Sequence, residues 1–270
     1  MPLHLTRREV VAAPILGSLA AALAPRHVLA VQPATPAAPG SSFPRLDAKL
    51  VQEIVGASHA REDRVRELVA INPALVNAWW DWGFGDLESP LGAASHVGNR
   101  PIAEFLIEKG ARVDIFAAAM LGWTDVVRAF VSAMPGVQRT PGPHGIPLLA
   151  HARVGGDAAA ETFKYLEGLG DAGITPTLAP LSDDEKNRYL GTYKYADADT
   201  FDINLNARKQ LMFEKGGEGP RVLLHHLGQH EFYPSGVPTT RFKFDALGTT
   251  AASVEITIGA EIIRGTRQPS

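Results

Sequence analysis

Histidines and acids between positions 96 and 151 are the residues of this sequence best suited to acid–base or metal chemistry. They are His96, Asp114, His144 and His151. A histidine that faces a pocket can act as a general base or a metal ligand, whereas a core histidine needs only a hydrogen-bond partner. We therefore treat His96, His151 and Asp114 as candidate catalytic residues, and a satisfied core or surface histidine is the alternative interpretation.

Three further histidines, His225, His226 and His230, lie in a segment with strand-like alternation. A zinc site needs side chains that converge on one point. Because successive side chains of a strand point to opposite faces, His225 and His226 cannot both bind one ion without distortion. We predict no metal site and no cofactor.

Aromatic residues are concentrated between positions 79 and 86, in the segment WWDWGFGD, which holds three of the four tryptophans of the chain. Large aromatic side chains are common anchors of binding interfaces. The candidate binding residues are Trp79, Trp80, Asp81, Trp82 and Phe84, together with Trp123. The alternative is that these rings pack inside the protein.

Composition and missing motifs exclude several functions. The sequence has no Ser-x-x-Lys, Gly-x-Ser-x-Gly, phosphate-loop, dinucleotide or His-Glu-x-x-His signature. Its formal net charge is −3, and no basic run is interleaved with aromatics, so nucleic-acid binding is not expected. The chain has no cysteine, which excludes disulfides and thiolate metal ligands.

Residues 1–30 have the pattern of an export signal. Arg7 and Arg8 precede an apolar run of roughly fifteen residues, and Val28-Leu29-Ala30 resembles a cleavage site. The paired arginines resemble the twin-arginine signal, and a general secretory signal is the alternative. The apolar run is shorter than the roughly 20 residues that a membrane span requires. We expect a periplasmic protein of a Gram-negative bacterium, without a stable membrane span and with a flexible Pro/Ala-rich lead at 31–45.

Residues 46–175 have helical periodicity, and the stretch from Glu88 to Asp114 resembles one ankyrin repeat. It has Ser-Pro-Leu at 89–91 where the family has Thr-Pro-Leu, small residues at 93–94, and a turn glycine at 98. Apolar residues at 102, 105 and 106 share one helix face. The resemblance implies a helical ankyrin-type solenoid.

The spacing of turn positions extends this resemblance to about four units. Gly122 and Gly155 stand 33 residues apart, which is the ankyrin period. An earlier turn is expected near Arg61, with extra residues in the segment NAWWDWGFGD. One β-turn finger is therefore predicted to be enlarged and the next to be missing.

Residues 176–270 alternate with period two, in segments such as FDINLN and RFKFD, as is typical of antiparallel strands. The opening Tyr189-Leu190-Gly191-x-Tyr193 and the following pattern resemble the β-rich accessory domain of penicillin-binding-protein-like serine hydrolases. That resemblance implies a fold but no activity. The predicted fold class is α+β, with an ankyrin-type solenoid followed by a small antiparallel β-sandwich or barrel-like domain.

Two functions remain open on the sequence alone. The first is a non-catalytic scaffold that binds a protein partner in the periplasm through the aromatic segment. The second is an enzyme or small-molecule-binding protein with a pocket near Trp123, His96 and His151. In the ankyrin register, His151 aligns with Ala94, a position that is normally small.

Overall fold

A computed structural model describes residues 45–197, 199–216 and 219–269. The predicted signal peptide at 1–30 and all but the last residue of the lead at 31–45 lie outside the described residues. Residues 45–270 group as one unit that contains both the helices and the strands. No helix within the described ranges is long and apolar enough to span a bilayer.

The first part of the described chain is helical. Its α-helices are α1 Ala48–Ala57, α2 Glu62–Ile71, α3 Pro90–His96, α4 Arg100–Glu108, α5 Ile115–Leu121, α6 Thr124–Ala133, α7 Leu148–Val154 and α8 Ala160–Leu169. Single 3-10 turns lie at Pro73–Asn77, Val137–Arg139, Pro143–Gly145 and Gly156–Ala159. A two-stranded hairpin, β1 Trp80–Asp81 and β2 Leu87–Glu88, precedes α3.

Polar residues fix where several of these helices begin. The side chain of Asp47 accepts hydrogen bonds at the start of α1, that of Ser89 at the start of α3, and that of Asp114 at the start of α5. Each satisfies a backbone N–H that has no partner within the helix. The starts of these three helices are thus encoded by residues next to them in the sequence.

Small residues allow the odd-numbered helices to pack closely side by side. Helix α3 contacts α1 and α5, and α5 contacts α7. Ala93 and Ala94 of α3 and Ala117 of α5 are fully buried. Short side chains let the backbones approach, so the ends of α1 and α3 come near the turn before α7.

The C-terminal part is a closed eight-stranded antiparallel barrel. A short helix, α9 Asp183–Lys186, precedes it. The strands are β3 Gly191–Lys194, β4 Thr200–Leu205, β5 Leu211–Glu214, β6 Arg221–Gly228, β7 Glu231–Pro234, β8 Arg241–Asp245, β9 Ser253–Ile258 and β10 Glu261–Arg267. Each strand pairs with the next in sequence, and β10 closes the barrel against β3. Its core is largely aromatic, with Tyr193, Phe201, Phe232 and Phe242 almost completely buried.

The predicted fold class is wrong, because the structure has short helices and a closed barrel rather than an ankyrin-type solenoid. The turn positions taken as equivalent have different backbones. Gly122 is left-handed with φ 76°, whereas Gly155 has φ −69° and Arg61 has φ −110°. The 33-residue spacing therefore does not mark a repeated turn. The connections also differ, because a hairpin precedes α3, a short turn precedes α5, and two 3-10 turns precede α7.

Candidate metal centre

Four side chains from four separate segments converge beside the hairpin. His59 follows the end of α1, Glu88 is the last residue of β2, His96 is the last residue of α3, and His144 lies in the 3-10 turn before α7. One ligand atom from each lies within 4.8 Å of the others. We call this group of four residues the metal centre.

The interatomic distances fit a single small cation. The Nε2 atom of His96 lies 3.0 Å from Nε2 of His59 and 2.9 Å from Oε1 of Glu88. The Nε2 atom of His144 lies 3.4 Å from the same Oε1, and Nε2 of His59 lies 3.8 Å from Oε2. A tetrahedral site with zinc–ligand bonds of about 2.0 Å has edges of about 3.3 Å. The four measured separations run from 2.9 to 3.8 Å, on either side of that value, and all the ligand atoms lie within 4.8 Å of one another.

Contacts behind the ligands orient the rings towards the centre. The Nδ1 atom of His144 lies 2.7 Å from Oδ2 of Asp86, and the backbone N–H of His144 donates to Oδ1 of Asp86 at 2.8 Å. The Nδ1 atom of His59 lies 3.2 Å from the carbonyl oxygens of Val55 and Gly56. Because these partners only accept hydrogen bonds, Nδ1 of each ring carries a proton, and Nε2 is the nitrogen that is left to bind a metal ion in place of a proton. Carboxylate–histidine–metal arrangements have this form.

Glu88 is held from the opposite side by the hairpin itself. The indole Nε1 of Trp82 donates a hydrogen bond of 2.7 Å to Oε2 of Glu88. The other oxygen, Oε1, is buried and has no hydrogen-bond partner among the described residues, although His96 and His144 each place Nε2 within 3.4 Å. Neither contact has the direction of a hydrogen bond. Acceptor atoms that face one another in this way are typical of ligands arranged around a cation.

The charge of the site also calls for a cation. Glu88 and Asp86 are 0% and 4% exposed. Among the described residues, no lysine or arginine forms an ion pair with either, and their only basic neighbours are histidines. Buried carboxylates are costly unless they are paired or bind a metal. A divalent ion would balance the two negative charges.

Two pKa values show how strongly these groups interact. Burial alone would raise the pKa of Glu88, but the rings of His144 and His96 outweigh it and hold the pKa at about 2. Burial would lower the pKa of His144, but Asp86 and Glu88 outweigh it and raise the pKa to about 10. The carboxylates of Glu88 and Asp86 therefore favour a positive charge among the four side chains, and either a proton on a histidine or a metal ion can provide it.

The backbone at His144 is strained. Its φ is 58°, a left-handed conformation that non-glycine residues rarely adopt. Such strain costs of order 1–3 kcal/mol and persists where the surroundings enforce it. Here Asp86 enforces it, because its carboxylate binds both the backbone N–H and the ring of His144. In this backbone conformation the His144 ring points towards the metal centre.

The candidate catalytic residues of the sequence analysis do not share one site. His96 is a ligand of the centre, and Asp114 caps α5 beside a pocket of about 220 Å³ that Asp86 also lines. Burial raises the pKa of Asp114. His151 is fully buried against Phe116, and neither ring nitrogen has a hydrogen-bond partner among the described residues.

The aromatic segment mostly faces inwards. Trp80 and Trp82 pack against the helical core, and Phe84 packs against the barrel core. Asp81 is exposed and accepts hydrogen bonds from the N–H groups of Gly83 and Gly85. Trp79 is 53% exposed and Trp123 is 39% exposed. Trp123 lies at the start of α6 on a pocket that is not lined by His96 or His151.

The three C-terminal histidines lie in the barrel part and each has a different contact. His225 stacks on Tyr233, and His226 packs on Phe232. His230 is hydrogen-bonded to the hydroxyl of Tyr189.

On the sequence alone we predict no metal site, and neither His59 nor Glu88 is a candidate ligand, although the structure places both in a group that could hold a metal ion. His59 stands outside every recognised motif, and Glu88 was considered only as the first residue of the repeat-like stretch. One signal was available, since Glu88 directly precedes a helix cap and lies eight positions before His96. The other separations along the chain match no metal-binding motif.

Comparison with protein-family models and with curated proteins finds no match to this chain. The chemistry of the centre is therefore interpreted from its own geometry.

Proposed function

We propose that the protein binds one divalent transition-metal ion, best matched by Zn²⁺, through His59, Glu88, His96 and His144. The observation that carries the proposal is the convergence of three Nε2 atoms on the buried carboxylate of Glu88, whose Oε1 faces two of them and has no hydrogen-bond partner among the described residues. Asp86 and Trp82 support the ligands from outside.

The donor set favours zinc over other common ions. Imidazole nitrogens suit Zn²⁺, Cu²⁺, Ni²⁺ and Fe²⁺, whereas Mg²⁺ and Ca²⁺ prefer oxygen donors. Four protein donors within 4.8 Å of one another can surround a tetrahedral zinc ion, while Cu²⁺ prefers a flatter arrangement. A shell completed by four protein ligands is typical of structural zinc sites. The role supported best is therefore a structural metal centre.

Metal titration tests the proposal. Protein stripped with a chelator and then dialysed should take up about one Zn²⁺ per chain, as measured by elemental analysis and by competition with a chromophoric chelator. Glu88→Gln and His96→Ala should each lose the tight site. A matched control is His226→Ala, since that ring lies outside the centre on β6. Equal zinc affinity in His96→Ala and in the wild type would overturn the proposal.

A second candidate is the protein-binding role expected from the sequence, with export to the periplasm. One observation favours it: Trp79 and Leu87 are both about half exposed, at 53% and 51%. If Trp79 is an interface anchor, Trp79→Ala should weaken binding to a partner copurified from the periplasm at least 10-fold, which corresponds to a loss of about 1.4 kcal/mol. Met134→Ala, which removes another half-exposed apolar side chain at the end of α6, is the control, and equal binding by both variants would count against this role.

A further inference from the structure

The hairpin β1–β2 is shared between the metal centre and the barrel. Its base carries Glu88, and Asp86 and Trp82 next to the strands support the ligands. Its tip, residues 83–85, points towards the barrel. The same short segment therefore contacts the metal ligands at one end and the barrel at the other.

The tip enters the end of the barrel. The ring of Phe84 lies 5.1 Å from the ring of Phe213 and 5.5 Å from that of Phe242, both in the barrel core. Phe84 has a left-handed backbone with φ 60°. At Gly83 a side chain would collide with Pro220 at the start of β6. The tip is thus fitted closely to the barrel.

A second contact connects the barrel to the support of the metal ligands. Gly236, just after β7, lies so close to Asp86 that any side chain there would collide with the carboxylate. Gly145, next to His144, also lies beside Gly236. The loop after β7 therefore rests on the residues that orient His144.

Elsewhere, the described helices make little direct contact with the barrel strands. Besides the covalent linker between α8 and α9, the contacts described above join the two parts through the hairpin and the turn that carries His144. A hairpin with two residues per strand is not stable by itself in water. Its position therefore depends on the groups that hold its base.

We propose that the metal ion is the joint that fixes the barrel to the helices. When bound, it holds the hairpin base and the His144 turn together, and this seats Phe84 in the barrel end. When the ion is removed, the coordination bonds that join the hairpin base to the His144 turn are lost, the hairpin base loosens and the barrel is released from the helices. The proposal rests on the metal centre proposed above.

A distance measurement between the two parts tests the joint directly. The chain has no cysteine, so the double substitution Lys49→Cys, Leu247→Cys gives two defined labelling positions. Lys49 is exposed on α1, and Leu247 is 98% exposed in the loop after β8. Spin labels on both cysteines of the full chain report the distance by double electron–electron resonance. Bound zinc is quantified in the same samples.

The zinc-loaded protein should give one narrow distance distribution. The chelated protein should give a distribution at least twice as wide, and added zinc should restore the narrow one. If zinc is bound and the distribution is equally narrow without it, the joint is refuted while the metal centre stands. If no zinc binds at the centre, the proposed function fails and the joint fails with it.

The variant Phe84→Ala tests the contact between the hairpin tip and the barrel independently of zinc binding. This variant should keep its zinc but show the wide distribution even when loaded, and Phe84→Leu should lie between it and the wild type. The control is Phe163→Ala, which removes a partly buried ring of α8 within the helical part. A narrow distribution in zinc-loaded Phe84→Ala would overturn the proposal.

Discussion

Replacing Asp86 by asparagine tests whether the centre is organised by its supporting contacts. The carboxylate of Asp86 accepts two hydrogen bonds, from the ring Nδ1 of His144 at 2.7 Å and from its backbone N–H at 2.8 Å. An asparagine has the same shape but offers one oxygen and one NH₂ group. Whichever way the amide is turned, one of the two N–H donors of His144 faces the NH₂ group.

The structure sets the expected magnitude. Losing an orienting partner of a metal-binding histidine typically lowers metal affinity 10- to 100-fold. Asp86 is 4% exposed, so water does not readily replace the lost acceptor. We therefore expect a loss near 100-fold, which corresponds to about 2.7 kcal/mol.

Competition with a chromophoric chelator at pH 7.5 measures this loss. Asp81→Asn is the matched control, because Asp81 lies in the same hairpin but is exposed and holds only the N–H groups of the tip. Its zinc affinity should stay within about twofold of the wild type. The reasoning is refuted if Asp86→Asn binds zinc as tightly as the wild type, or if the control loses as much.

The remaining predictions concern stability. Zinc at 100 times its dissociation constant should stabilise the chain by about 2.7 kcal/mol and raise the melting temperature by roughly 5–10 °C in calorimetry; no shift would contradict the metal centre. Gly236→Ala should weaken zinc binding, because the added methyl group would collide with Asp86. The control is Gly259→Ala, where the backbone is also left-handed but the methyl group would meet no neighbour, so this variant should only lose about 1 kcal/mol of stability. Equal zinc affinities in the two variants would contradict this prediction. Burial lowers the pKa of His151 from 6.5 to about 3 in the folded protein. The unfolded chain therefore binds the proton first, and between pH 6.5 and 3 acid should lower the free energy of unfolding by up to about 1.4 kcal/mol per pH unit through this residue. When the metal-free protein is unfolded in urea at a series of pH values, the free energy of unfolding of His151→Leu should lack this dependence on pH. An unchanged dependence would contradict the assignment.

The sequence indicates the individual helices and strands better than it indicates how they assemble. The period-two segment FDINLN overlaps β4 in all but its last residue, and RFKFD coincides with β8. Closure of the barrel depends on the pairing of β10 with β3, which joins residues more than seventy positions apart, and no local pattern reports it. The ankyrin interpretation relied on the 33-residue spacing between Gly122 and Gly155, but the backbone is left-handed at Gly122 and right-handed at Gly155, so the spacing does not mark a repeated turn.

The metal centre was only half visible in the sequence, for a similar reason. His96 and His144 stood out as residues with useful chemistry. Their convergence with His59 and Glu88 depends on the packing of α1 beside α3 and on the left-handed backbone of His144. The spacing of the four residues along the sequence indicates neither the packing of these helices nor the backbone conformation of His144. The aromatic segment was ambiguous in the same way, and most of its rings pack inside the protein.

X-ray absorption at the zinc edge of the loaded protein tests the central claim most directly. We predict one zinc per chain with about four nitrogen and oxygen neighbours at about 2.0–2.1 Å and the outer-shell scattering of three imidazoles. The pattern should be lost when His59 and His144 are both replaced by alanine. A shell made mainly of oxygen with at most one imidazole, unchanged in that variant, would contradict the account.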